Sequence, residues 1–133
     1  MRIVGGQFSG ITLTAFDLSD QIIYVINNDL MNLKGMRTMS AIFSDMDMDN
    51  YKIILNNSND TNRDYFSLYD IKNIIKRNVD YVIPHSFYIK NIDKYILDGT
   101  ILTLDKNIVR KHKKTVNVFE KIANCLISES KVK

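Results

Sequence analysis

Ile22-Ile23-Tyr24-Val25-Ile26 is an unbroken run of β-branched and aromatic residues, the composition of a strand. Two shorter runs follow it, Ile53-Ile54-Leu55 and Tyr81-Val82-Ile83, each bounded by Asn, Asp or Pro. The strands they predict cover roughly 21–27, 51–56 and 79–84. The first and third runs are apolar at consecutive positions, hence on both pleat faces, as a strand covered by helices on both sides requires. Working outward, the segments between them carry a helical period. Residues 29–46 align Leu33, Met36, Met39 or Ser40, Phe43 and Met46 along one stripe, and apolar residues three and four apart mark the buried side of a helix.

The remaining punctuation agrees. Ser67-Leu68-Tyr69-Asp70 is a capping-box sequence, in which the serine oxygen accepts from an early backbone N–H and the acid reaches back. It opens a helix with Leu68, Ile71, Ile74 and Ile75 on its buried side. After Pro84, Ser86 can cap a helix carrying Ile89, Ile92 and Ile96, stopped by Gly99. A last helix, about 107–128, lines up Val116, Phe119, Ile122, Ala123, Leu126 and Ile127. An opening helix, about 9–18, precedes the first strand, and residues 1–8 read as a leader. The order is α-β-α-β-α-β-α-α. Helical crossovers between consecutive strands impose a parallel sheet with right-handed connections. The fold class is therefore α/β, with a short parallel sheet of three strands in a single domain spanning 1–133.

Composition bounds the function. Of 133 residues, 45% are hydrophobic and 25% charged, the balance of a globular chain. No apolar run reaches the ~18–20 residues of a membrane span, and no signal-peptide core follows Met1. One cysteine, Cys125, excludes an internal disulfide framework and suits a reducing compartment, so a cytoplasmic location is expected. Cys125 lies on the apolar side of the last helix and is expected to be a buried, inert thiol. Charge is uneven: residues 1–66 hold 5 basic and 8 acidic residues, while 67–133 hold 13 and 7. Ile, Asn and Lys number 19, 14 and 13. All three use A/T-rich codons, which points to genome bias rather than chemistry.

Several site chemistries fail on spacing. None of the five glycines, at 5, 6, 10, 35 and 99, stands in a Gly-x-x-x-x-Gly-Lys-Ser/Thr or Gly-x-Gly-x-x-Gly phosphate loop. Asp45-Met46-Asp47-Met48-Asp49 begins like a calcium loop, but Asn50 replaces the required glycine and Asn56 the closing glutamate. His85, His112 and Cys125 are too few and too scattered for a closed zinc site. His85, just after Pro84 at a strand's carboxyl end, stands where open α/β sheets gather ligands, although a solvent-facing loop imidazole is the plainer reading. Arg110, Lys111, Lys113 and Lys114 could contact phosphates of a nucleic acid or an anionic membrane. They spread around a helix without interleaved aromatics, so a solvated helix start accounts for them better.

In order and punctuation the chain, over roughly residues 8–128, resembles the C-terminal half of the MinD/ParA-type P-loop ATPases. It looks most like the bacterial TadZ/CpaE branch linked to pilus assembly. Thr12-Leu13-Thr14-Ala15-Phe16-Asp17-Leu18-Ser19-Asp20 is similar to the helix, ending in a Ser/Ala-Asp pair, that precedes a strand in that branch. Asn28-Asp29 before a long helix, Ser67-Leu68-Tyr69-Asp70-Ile71, and Asp98-Gly99 before the final helix continue the likeness. Leu55-Asn56 looks like the strand end whose asparagine contacts the adenine base in these ATPases, and Val82-Ile83-Pro84 like the strand end beside which the base is also held. The resemblance thus implies a nucleotide-facing set of Asn56, Pro84 and His85. For Asn56 a strand-terminating turn residue is an equally good account.

The departures matter as much. The family's Lys-Gly-Gly-x-Gly-Lys-Thr loop is absent, and residues 2–6 read Arg-Ile-Val-Gly-Gly where a metal-serving aspartate would end a strand. Asn57 stands where the family often has a basic residue. Phosphoryl transfer needs those missing parts. No cofactor is therefore expected for this chain alone, with ATP or ADP and Mg entering only if an N-terminal half supplies them. The resemblance implies a non-catalytic localisation or scaffold module for pilus or secretion assembly. The alternatives are the C-terminal fragment of a working ATPase and a nucleic-acid-binding module using 110–114. The first strand is as apolar as a central one yet lacks a convincing neighbour. Either Ile3-Val4 opens a stub strand, or the domain is larger, or a protein partner or second copy covers the exposed edge at 21–27.

Overall fold

The computed structural model describes residues 10–56, 66–84 and 91–131. Its sheet has three strands, β1 (Ile22–Asn27), β2 (Tyr51–Asn56) and β3 (Tyr81–Ile83), all parallel and in the order β1-β2-β3. Helix α1 (Gly10–Leu18) precedes β1, α2 (Leu30–Asp45) connects β1 to β2, and α3 (Leu68–Ile75) lies between β2 and β3. After β3 come α4 (Ile92–Leu97), a 3-10 turn at Leu102–Leu104, α5 (Lys106–Lys111) and α6 (Lys113–Lys131). The strands fall within a residue or two of the ranges that the apolar runs predict.

The register explains the core. Ile22 is level with Tyr51, Tyr24 with Ile53, and Ile26 with Leu55, which in turn meets Val82. These residues share one pleat face, and on that face Ile22, Ile26, Tyr51, Ile53 and Leu55 are buried beneath Leu33, Met36, Met39 and Phe43 of α2 and Ile71 and Ile75 of α3. Phe43 holds the layer together. Its ring meets Phe16 of α1 edge-on at 5.4 Å and lies tilted over Tyr51 at 4.6 Å. The Arg77 guanidinium stacks on the other partner, 3.8 Å from the centroid of the Tyr51 ring.

Local signals set the element ends. Asp29 caps α2 by accepting from Asn32 N–H at 2.8 Å. The capping box at Ser67 forms, with the Ser67 hydroxyl accepting from Asp70 N–H and the Asp70 carboxylate accepting from Ser67 N–H, both at 3.2 Å. Gly99 adopts φ +68° after α4. There Gly99 N–H donates to Ile96 and Thr100 N–H to the Tyr95 carbonyl, the paired C-terminal bonds that a left-handed residue permits.

Several expectations are corrected. Among the described residues β1 is fully buried on one face only: Ile23 and Val25, on the opposite face, are 37% and 56% exposed, because α6 packs on the β3 side of the sheet. The last helix is two. It breaks at His112, whose backbone (φ −121°, ψ 41°) leaves the helical region, and α6 then continues to Lys131. Leu68 is 57% exposed rather than buried, as the first residue of α3 stands clear of the sheet. Ile92 and Ile96 are exposed and α4 buries none of its residues. Ala123 and Ile127 also face outward on α6, whose inner contacts fall to Val116, Phe119, Ile122 and Leu126. The leader at 1–8 with Ile3-Val4, and the Ser86 cap with Ile89, lie outside the described residues.

Candidate functional site

Parallel strands in register bring their carboxyl ends to one rim, and in open α/β sheets ligands gather there. Here Asn27, Asn56 and Ile83 form a row across β1, β2 and β3, with Pro84 one residue beyond. Asn56 and Pro84 therefore stand on neighbouring strand ends. His85, the third residue of the expected set, lies outside the described residues.

The β1 end of this rim is a polar cluster, of which the sequence marks only Asn28-Asp29 ahead of a long helix. Asn28 is buried and its Nδ2 donates to the Phe66 carbonyl at 3.0 Å, tying the β1–α2 turn to the segment entering α3. The Asp29 carboxylate accepts twice from Asn32, from its backbone N–H and from its Nδ2, each at 2.8 Å. Asn32 Oδ1 accepts in turn from Asn27 N–H at 3.4 Å. An Asn-Asn-Asp triplet just before a helical stripe is the legible part, since Asp is a favoured cap. The reach of Asn32 back to Asn27 is visible only once the turn is folded.

This donor set does not suit a phosphate chain at β1–α2. A helix N-terminus holds an anion with its free amides and positive dipole end. Here the Asp29 carboxylate already occupies that position, and the turn holds neither lysine nor glycine. Among the described residues, no group of three or more His, Cys, Asp or Glu side chains is placed to hold a metal ion.

The basic residues belong elsewhere. Arg110 and Lys111 close α5 while Lys113 and Lys114 open α6, and all four are exposed. The break at His112 thus divides the run between two helices. Cations suit the first position and oppose the helix dipole at the second.

Cys125 is also corrected. It is partly exposed rather than buried, and its Sγ donates to Glu129 Oε1 at 3.6 Å. Glu129 Oε1 is 3.8 Å from Lys52 Nζ on β2. The hydrogen bond with Cys125, followed by burial and the nearby negative charges, pushes the Tyr81 phenol up to about 12. Tyr81, Cys125, Glu129 and Lys52 thus join α6 to β2 and β3. Gln21 Nε2 adds a donor to the Leu126 carbonyl at 3.1 Å.

No family model matches the chain, and no curated protein matches it. Two solved structures do. The first is the MinD cell division protein of Aquifex aeolicus, with a TM-score of 0.64 and 18% identity over 92% of this chain. The second is the MinC:MinD cell division protein complex of the same organism, with a TM-score of 0.67 and 20% identity, again over 92% of this chain. The fold is MinD-like. It comprises three parallel strands and their helices. The chain spans 50% and 48% of the length of those two MinD-fold chains. Among the described residues no helix is long and apolar enough to cross a membrane.

Proposed function

We propose that the chain is a MinD/ParA-like localisation or scaffold module that works through protein–protein contacts and hydrolyses no nucleotide by itself. Its finer place is the C-terminal half of such a domain in the TadZ/CpaE branch, serving pilus or secretion assembly. One observation carries this reading. It is the MinD-like fold itself, aligned over 92% of this chain. The sequence supports it by lacking the Lys-Gly-Gly-x-Gly-Lys-Thr loop altogether, without which phosphoryl transfer loses its positioning groups. One of the two structural neighbours is a MinC:MinD complex, a MinD fold seen with a protein partner. Asn56 and Pro84 remain the residues that a base would meet if another segment supplied the phosphate site.

Calorimetric titration of the chain with Mg-ATP and Mg-ADP tests this, with Asn56→Ala as the control. The expected result is no specific heat of binding and no phosphate release above the buffer rate. Tight ATP binding lost in Asn56→Ala, or steady turnover, would overturn the proposal. A second reading is favoured by the half-length match to the MinD chains: the C-terminal part of a working ATPase. The reading frame upstream of Met1 decides between the two, since a Lys-Gly-Gly-x-Gly-Lys-Thr there favours the enzyme.

A further inference from the structure

We draw no further inference here: the strongest candidate, the side-chain cluster of Tyr81, Cys125, Glu129 and Lys52 that joins α6 to the sheet, rests on a lone, partly exposed thiol, and nothing among the described residues points to a ligand or a reaction for it.

Discussion

Replacing Asp80 tests how the two later strands are held level at the candidate rim. β2 and β3 pair from Ile54 with Tyr81 onward, and one residue earlier Asp80 extends the ladder by itself. Its backbone N–H donates to the Ile53 carbonyl at 2.9 Å, and its carboxylate accepts from Ile53 N–H at 2.7 Å. Ile53 is wholly buried, and in Asp80→Ala its amide loses its acceptor. Leaving a buried donor unsatisfied costs about 1–3 kcal/mol. With a urea slope of about 2 kcal/mol/M, the unfolding midpoint should fall by roughly 0.5–1.5 M. Asp80→Asn keeps an acceptor oxygen and should lose clearly less. The assay is urea unfolding followed by circular dichroism and by tyrosine fluorescence. An alanine variant within about 0.5 kcal/mol of the parent, the range of ordinary surface substitutions, would refute the reasoning, as would an asparagine variant as weak as the alanine one.

Phe43→Ala removes the ring between Phe16 and Tyr51 from a fully buried site, and should lower stability by about 3–5 kcal/mol in the same assay. Gly99→Ala would meet nothing within 4 Å, so its expected loss of about 1–2 kcal/mol reports the left-handed backbone alone. Tyr81 should titrate near 12 in the ultraviolet tyrosinate band, two units above the ordinary 10.0, and Cys125→Ala should bring it down. Because the folded state holds this proton longer than the unfolded one, its contribution is complete below pH 10 and is lost as pH rises toward 12. Stability that did not fall across that window would contradict the assignment.

Most of the architecture was legible in the residues. Strand runs of β-branched residues, the α2 stripe, the Ser67 box and Gly99 each act through neighbours a few positions away, and all appear where their local chemistry places them. Errors fell where burial depends on distant packing. Ile23 and Val25 have the composition of a doubly covered strand, yet their cover depends on where α6 lies, a hundred residues onward. Leu68 and Ile96 keep helical spacing but meet no facing layer. At the rim, the capping role of Asp29 follows from a short triplet, and the adjacency of Asn56 and Pro84 follows from strand ends in register. The Asn32 bridge and the Tyr81–Cys125–Glu129–Lys52 contact join residues up to 77 positions apart, and no period or spacing announces them.

The strand order β1-β2-β3 bears on how the molecule is made. Each strand lies beside the one synthesised just before it, so none waits for a later segment to become its neighbour. As the chain emerges from the ribosome, α2 can fold back once β2 is out, and α3 with β3 can add to a layer already formed. The loops closed at each step are short, which keeps their entropic toll small. Only α6 arrives late, a clasp across a sheet assembled in the sequence of its translation.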